Sequence, residues 1–221
     1  APDLLLLAAH GLLVRCLADY LVQEGQHPRD EGPRAAALLE LRQEATRLQT
    51  RLRGWAEVPV AADAHFGKGV WRFHEPRLPE AVAEFEALAE AAVRWDDATT
   101  LLEARLWLAL ALDRLGRGQE ALNYLNESLA VFRPRPSRRH QHLWCQALAH
   151  AARFCRHLAP SQARDHMYRA TALRNLGDGR ALAEGLRDGT LQALVHDFHG
   201  DLLLAVGRRP EARQQFLAAE R

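Results

Sequence analysis

The sequence is poor in cysteine, in lysine and in uninterrupted apolar runs, and each shortage excludes a class of protein. Its 221 residues include three cysteines, too few and too dispersed for the disulfide framework of a small secreted domain. Cys145 and Cys155 lie ten positions apart in one predicted helix, about 15 Å at the rise of an α-helix, which is too far for a disulfide bond. We therefore expect reduced thiols in a cytoplasmic protein.

Neither sign of charge predominates. Lys68 is the only lysine, yet arginine brings the basic total to 29 against 28 acidic residues. A chain this close to neutrality has no general attraction for nucleic acid or an anionic membrane. The one basic cluster, residues 133–139, contains Pro134 and Pro136, so we interpret it as a solvated linker and expect no nucleic-acid binding through it. Phosphate or nucleic-acid binding there is the alternative.

No long uncharged apolar segment is present. The leucine-rich start, residues 1–21, is interrupted by His10, Arg15 and Asp19, and no basic residue precedes its leucine run. This pattern predicts an amphipathic helix rather than a signal sequence or a membrane span, so we expect no membrane partner. Because the sequence has no initiator methionine and ends within a predicted helix, we expect it to be a fragment of a longer protein.

What the sequence does have is helical periodicity along its whole length, without an alternating strand pattern. Apolar residues make up 48% and charged residues 26% of the chain, as in soluble globular proteins. Glycines and prolines divide the pattern into about ten helices, in five antiparallel pairs. Gly177 and Gly179 are predicted to end one of these helices, and Ser137 is predicted to cap another. The sequence therefore predicts an all-α fold.

The clearest pair is residues 103–134, two amphipathic helices joined by a turn with Gly116 and Gly118. Similar pairs recur, each with a small residue opening the second helix and a large apolar residue four positions later. Small residues let two helices approach closely while large ones fill the groove between them. In the first of these pairs, Arg72 falls where the pattern requires a large apolar residue. We therefore shift the alignment of this pair so that Gly67 takes the position of the small residue in its first helix. The predicted packing positions are Ala81, Phe85, Ala109, Ala121, Leu125, Ala151, Ala163, Gly200, Ala212 and Phe216.

The segments LGRGQEAL at 115–122 and VGRRPEAR at 206–213 resemble the turn of the tetratricopeptide repeat (TPR). This resemblance implies an α-α superhelix forming one continuous solenoid. Residues 1–60 would be a divergent N-terminal pair or cap, and residues 61–221 would hold repeats at about 61–96, 97–134, 137–176 and 178–221. The opening alanines are 40, 42 and 49 residues apart, longer than the family repeat of about 34. Expanded repeats of this kind are similar to those in sensor regions of large bacterial transcription activators and related signalling ATPases.

The resemblance implies a non-enzymatic scaffold that binds a protein or peptide in the concave groove of the first helices. Arginines in that groove would pair with an acidic side chain of the partner. Alternatively, these residues are ordinary half-exposed helix positions, or the chain is a small-molecule effector-sensing domain of a bacterial transcription regulator. A homodimer through a terminal repeat is also plausible. Carried over by position, the groove comprises Glu103, Leu106, Leu110, Asp113, Arg114, Leu148, Arg156, Asp197 and Asp201.

No pattern of catalytic residues is present in the sequence. His196 and His199 share a helix face, but a His-x-x-His spacing alone is a weak metal signal, and packed histidines are favoured. Cys145 and His150 lie more than one helical turn apart, so local geometry does not make them a nucleophile and its base. We expect no enzyme activity, no metal and no cofactor; a helical enzyme with a site assembled across repeats is the alternative.

Overall fold

A computed structural model describes residues 4–24, 31–53, 59–131, 137–158 and 162–220. Within these ranges the chain forms ten α-helices and no β-strand. Neighbouring helices pack against one another, α1 with α2, α3 with α4, α7 with α8 and α9 with α10, which confirms the predicted all-α fold of helix pairs. The helices are α1 (Leu4–Glu24), α2 (Glu31–Arg51), α3 (Val60–His74), α4 (Leu78–Arg94), α5 (Ala98–Arg114), α6 (Gly118–Val131), α7 (Arg138–His157), α8 (Gln162–Leu186), α9 (Gly189–Ala205) and α10 (Arg209–Ala219).

The chain divides into two compact units, unit 1 (Ala1–Ala111) and unit 2 (Leu112–Arg221). Trp107 is the centre of an aromatic cluster in unit 1. The rings of Phe66, Phe73 and Phe85 lie 6.2, 5.2 and 5.7 Å from it between centroids, distances typical of favourable aromatic pairs. These contacts join α3 and α4 to α5.

Most positions predicted to pack the pairs together are buried in the structure. Gly200 is also buried and Phe216 is half-buried. The side chain of Ala163 lies outside the described residues. Met167, which the sequence aligns with these large apolar residues, is 58% exposed, so the pair α7–α8 departs from the pattern. The predicted packing residues with an exposed fraction of zero are Ala81, Phe85, Ala109, Ala121, Leu125, Ala151 and Ala212.

A close contact between a glycine and an aromatic ring recurs in two helix pairs. A Cβ atom on Gly69 of α3 would lie 2.4 Å from the Phe85 ring of α4. One on Gly200 of α9 would lie 2.6 Å from the Phe216 ring of α10. Both distances are far below van der Waals contact, so only glycine allows the two helices to pack this closely.

The pair α3–α4 therefore keeps the same spacing as the other pairs. Gly69 lies twelve positions before Ala81, as Gly200 does before Ala212. The shifted alignment on Gly67 is wrong, because a Cβ atom there would meet Val14 of α1 at 2.3 Å and not α4. The sequence could not distinguish two small residues that lie two positions apart in one helix.

Replacing Gly69 with alanine should destabilise the protein by about 1–2 kcal/mol. The added methyl overpacks against Phe85, which is fully buried, and this cost exceeds the helix-propensity gain of about 1 kcal/mol. Gly177→Ala is the matched control, since nothing lies within 4 Å of its Cβ position, and it should stabilise by about 0.5–1 kcal/mol. Urea denaturation followed by circular dichroism measures both. A shift of the two variants in the same direction would contradict the contact.

The turns inside the pairs are built alike. Gly116 and Gly207 have φ angles of 77° and 79°, a left-handed conformation in which glycine avoids the Cβ penalty. An Arg-x-x-Glu sequence begins the second helix of three pairs and forms an ion pair across its first turn, a regularity that the sequence analysis missed. These ion pairs are Arg77–Glu80, Arg117–Glu120 and Arg208–Glu211, at 2.6, 2.6 and 2.9 Å.

Helix α8 continues through both of its central glycines, so the prediction that Gly177 and Gly179 end this helix is wrong. Each glycine costs about 1 kcal/mol relative to alanine, but Leu176 and Ala183 on the same helix are 3% and 0% exposed. Burial of these side chains offsets the cost. The chain leaves the helix only at Arg187, whose φ is 50°.

Unit 1 contains a buried carboxylate at Glu84, which is 7% exposed. Its Oε1 accepts hydrogen bonds from Lys68 Nζ at 2.7 Å and from Arg72 Nη1 at 2.6 Å. Its Oε2 lies 2.7 Å from Nδ1 of His65. Burial alone raises the pKa of Glu84, but the hydrogen bonds from His65 and Lys68 and the charge of Lys68 prevail and lower it to about 2.

A second buried ion cluster ties α1 to α3 and α5. The guanidinium of Arg15 donates to Asp63 at 2.9 Å and to Glu103 at 2.7 Å, and it lies 4.4 Å above the Phe66 ring. Glu103 is 4% exposed. Because the guanidinium has several N–H donors, the Arg15 side chain can hydrogen-bond two carboxylates at once. Its flat face makes a cation–π contact with the Phe66 ring.

Helix α1 is the most apolar helix by composition. Its window Leu4–Leu21 has a mean hydropathy of 1.6, enough by length and composition alone to cross a membrane. About a third of this window (33%) is buried, and α1 packs on α2 and α3. A core helix of a folded domain passes the same test, so the absence of a membrane span stays a prediction.

Candidate functional site

A groove of about 960 Å³ lies in unit 2 where α6 and α8 both pack against α7. We call it the α6–α8 groove. Trp144, Leu148 and Cys155 of α7 line it, together with Leu122 of α6 and Leu182 of α8. The three α7 side chains are at most 8% exposed, so they form a firm apolar floor. A volume of this size is at the upper end for small-ligand pockets, about 300–1,000 Å³.

Helix α8 supplies most of the polar groups of the α6–α8 groove. Thr171, Arg174, Asn175 and Asp178 all line it, and their spacing places them on one helix face. Asp178 lies in the part of α8 beyond Gly177, so the unbroken course of this helix is what completes the groove. The site therefore depends on the feature of α8 that the sequence did not predict.

Asn175 is the most buried of these polar residues, at 5% exposure. Its side-chain amide carries both donors and an acceptor, as a peptide group does. A ligand with peptide-like groups would complement it.

The buried cysteines and His150 of α7 do not have the protonation states of a catalytic nucleophile and its base. Burial raises the pKa of Cys155 to about 11 and that of Cys145 to about 12, so both thiols are protonated at neutral pH. Burial lowers the pKa of His150 to about 3, so its imidazole is neutral. Cys145 donates its thiol hydrogen to the carbonyl oxygen of Gly179 at 3.2 Å. These properties suit a packed wall better than a nucleophile.

The groove predicted on the first helices has three members in unit 1, and two of them are buried. Glu103 and Leu106 are 4% and 2% exposed, and Glu103 is bound by Arg15. Leu110 is half-buried. The carboxylate of Glu103 thus serves the interior of unit 1, a role that its position in the repeat did not reveal.

The predicted members in unit 2 are distributed differently. Asp113 accepts a hydrogen bond from Arg153 at 2.9 Å, and Arg156 lies 3.7 Å from Asp201. Leu148 lines the α6–α8 groove, the one predicted residue to do so.

Two predicted members, Arg114 and Asp197, are exposed. Partial burial raises the pKa of Asp197, and the nearby charge of Asp201 raises it further. Partner binding by these exposed first-helix residues stays a prediction.

His196 of α9 packs against α10. His196 Nδ1 lies 2.8 Å from Oε1 of Gln215 on α10. Within the described ranges no three His, Cys, Asp or Glu side chains are grouped as metal ligands would be. Of the basic cluster, residues 133–136 lie outside the description, Arg138 and Arg139 are exposed, and Ser137 caps α7 as predicted by accepting from the His140 amide.

Comparison with solved structures places the chain in a known fold. A Podosopora anserina protein described as a kinesin light chain with nearly identical TPR-like repeats matches with a TM-score of 0.61 at 15% identity, over 95% of this chain and 94% of that one. A single-residue variant of that protein matches with a TM-score of 0.63 at 15% identity, over 96% and 94%. No protein-family model matches the sequence, and no curated protein does. The fold is therefore that of a TPR-like helical repeat protein, a fold that commonly mediates protein–protein interaction.

Proposed function

We propose that this chain is a non-enzymatic, cytoplasmic interaction module that holds a peptide segment of a partner protein in the α6–α8 groove. The observation that carries the proposal is the α6–α8 groove itself, in which an apolar floor lies beside the nearly buried amide of Asn175. A peptide supplies apolar side chains for the floor and a backbone amide for Asn175. The regulatory setting suggested by the long repeats, a sensor region of a transcription regulator, belongs to the same proposal.

The charges at the groove favour a particular kind of peptide. Arg174 lies one residue before Asn175 on α8 and also lines the groove. A guanidinium at this position favours a carboxylate on the partner through paired hydrogen bonds. Asp178, one turn further, disfavours a second acidic group there. We therefore expect an apolar segment with one acidic side chain close to its centre.

Selection from a library of random peptides displayed on phage tests this function. Ala181 is exposed and lines the groove, so Ala181→Arg fills the groove without removing a buried contact. We expect peptides selected on the natural chain to bind this variant at least about tenfold more weakly, the effect of losing roughly 1.4 kcal/mol. Ala170→Arg on the same helix is the matched control, because Ala170 is exposed and does not line the groove.

The selected sequences give a second readout. Selection on Arg174→Glu should yield peptides with a basic residue where those selected on the natural chain have an acidic one. Peptides that bind Ala181→Arg and the natural chain equally would show that the groove is not the binding site.

A small-molecule effector is the second candidate, favoured by the groove volume of about 960 Å³. An effector raises the melting temperature as its concentration rises. Thermal shift measurements with a metabolite library, repeated on Ala181→Arg and Ala170→Arg, separate the two functions. A compound whose shift is lost only in Ala181→Arg would replace the peptide proposal.

A further inference from the structure

Helix α1 presents a broad apolar face to water, far from the residues of the α6–α8 groove in sequence. Leu5, Leu12, Leu13 and Tyr20 are 82%, 63%, 43% and 39% exposed. The opposite face of α1 is fully buried at Val14 and other positions where it packs on α2 and α3. Among the exposed residues of the window Leu4–Leu21, the only charged one is Asp19. A large exposed helix face that carries so little charge marks an interaction surface.

Six of the exposed side chains form a symmetric pattern along α1. Leu5, Ala9, Leu12, Leu13, Cys16 and Tyr20 are all exposed, and their spacings of three and four place them on one side of the helix. Read from either end, the order is large, small, large, large, small, large. The centre of this pattern lies between Leu12 and Leu13. A helix with such a pattern is complementary to an antiparallel copy of itself.

We propose that two copies of this chain associate through an antiparallel α1–α1 contact, a property that goes beyond the proposed function. In this contact, residues whose numbers add to 25 lie opposite each other. Leu12 of one copy meets Leu13 of the second, Leu5 meets Tyr20, and Ala9 meets Cys16. The small residues let the helices approach closely, and the antiparallel direction opposes the two helix dipoles favourably.

The size of the surface fits a weak contact between two copies, and its charge does not oppose one. A face about 25 Å long and 10 Å wide covers about 250 Å² on each partner, or roughly 500 Å² in total, which is the size of a weak interface that forms only at micromolar concentrations or above. The two Asp19 side chains lie on opposite sides of the centre, roughly 20 Å apart along the helix axis, so they do not repel each other strongly.

A membrane surface is a poorer fit than a second copy. Helices that lie on membranes carry lysine and arginine on their polar side. The single basic residue of the α1 window besides His10 is Arg15, and it is bound by Asp63 and Glu103. No basic side chain of this helix is left to meet an anionic headgroup.

A pair of complementary variants tests the contact and its direction. Leu12→Glu and Leu13→Lys each place a buried charge at the centre of the interface, and each should convert a dimer into a monomer in sedimentation equilibrium from about 5 to 200 μM, the range expected for a small interface. Mixing the two variants should restore a dimer, because the introduced glutamate of one chain then meets the introduced lysine of the other, while the remaining leucines of the two centres meet each other. Both sites are exposed, so circular dichroism should be unchanged.

Disulfide trapping tests the register. With Ala9→Cys, the new thiol lies opposite Cys16 of the second copy, and mild oxidation should give a covalent dimer on a non-reducing gel. The natural chain should not cross-link, since its two Cys16 residues lie roughly 10 Å apart along the axis. Thr46→Cys, exposed on α2, is the control. The proposal is overturned if the natural chain or the mixture of Leu12→Glu and Leu13→Lys stays monomeric. It is also overturned if Thr46→Cys cross-links as much as Ala9→Cys. A third contrary result is that the natural chain, but not Leu12→Glu, floats with phosphatidylserine vesicles.

Discussion

Replacing Glu84 with glutamine should lower the free energy of unfolding by about 3–5 kcal/mol at neutral pH, the cost of leaving buried charges without their partner. The substitution keeps the shape of the side chain but removes the negative charge that faces Lys68 and Arg72. Lys68 is 8% exposed, so water cannot replace the lost carboxylate. The described residues offer its ammonium group one other hydrogen-bond acceptor, the side chain of Gln49 at 2.8 Å.

The pH dependence gives this prediction a signature that simple misfolding would lack. Folding lowers the pKa of Glu84 from 4.5 to about 2, so its contribution is fully present above pH 4.5 and is lost as the pH falls toward 2. A shift of this size corresponds to about 3 kcal/mol at neutral pH. The difference between the natural chain and Glu84→Gln should therefore shrink to about half by pH 3.

Other groups also respond to acid, and a difference measurement removes them. His150 in unit 2 has its pKa lowered to about 3 by burial, so the unfolded chain binds a proton below about pH 6.5 that the folded chain does not. The loss of stability due to His150 begins at a higher pH than the loss due to Glu84. It is the same in the natural chain and in Glu84→Gln. Urea denaturation at several pH values, compared between the two, isolates Glu84.

The control for Glu84 lies on the same helix. Glu80 pairs with Arg77 at 2.6 Å and lies 3.5 Å from Arg72, but its side chain is 42% exposed. Glu80→Gln should therefore cost less than about 1 kcal/mol. If Glu84→Gln and Glu80→Gln have similar effects, or if the Glu84 difference does not depend on pH, the buried cluster does not stabilise the protein in the way that its geometry indicates.

Replacing Arg15 with methionine should destabilise the protein by about 3–5 kcal/mol, because it leaves two carboxylates at least partly buried without a cation. Methionine keeps an apolar stem against Phe66 and removes only the charge. Burial lowers the pKa of Arg15, but Glu103 and Asp63 raise it above its ordinary value, so the arginine is charged at every pH at which the protein folds. The loss should be measured by urea denaturation.

A double substitution separates the ion pair from packing. In Arg15→Met with Glu103→Leu, the buried charge of Glu103 is removed together with its partner, so a large part of the loss should be recovered. Arg47→Met is the control, since Arg47 is 64% exposed in its pair with Glu44, and it should cost less than about 1 kcal/mol. A double variant no more stable than Arg15→Met would show that Glu103 does not depend on Arg15.

The Arg15 result also bears on the groove predicted from the repeat pattern. Glu103 was predicted to face a partner, since it lies on the inner side of the first helix of a TPR-like pair. Its 4% exposure and its bond to Arg15 assign it to the interior of unit 1 instead. The repeat pattern predicts which side of a helix faces inward, but it cannot say whether α1 supplies an arginine to that side.

The helices themselves could be predicted from the sequence because the signals are local. Glycines with positive φ at 116 and 207, the cap at Ser137 and the apolar periodicity act within a few residues of where they stand. The small residues at 109, 121 and 151 predicted close packing, and these alanines are fully buried.

Helix α8 and its groove show what local signals cannot predict. Gly177 and Gly179 weaken a helix by an amount that the sequence reveals, while the burial that outweighs it depends on α7, more than twenty residues away. The same holds for Asn175, a polar residue that is 5% exposed because of the helices packed around it. Its significance is visible only once α6 and α8 are both placed on α7.

The sequence by itself determined that this chain is a series of paired helices, because helix formation, capping and turn geometry depend on neighbours three or four residues apart. Only the tertiary structure decided where the charges are buried, how far α8 extends and which faces of the helices stay open. Those outcomes depend on contacts between residues distant in sequence, whose energies are comparable to or larger than the local preferences they override.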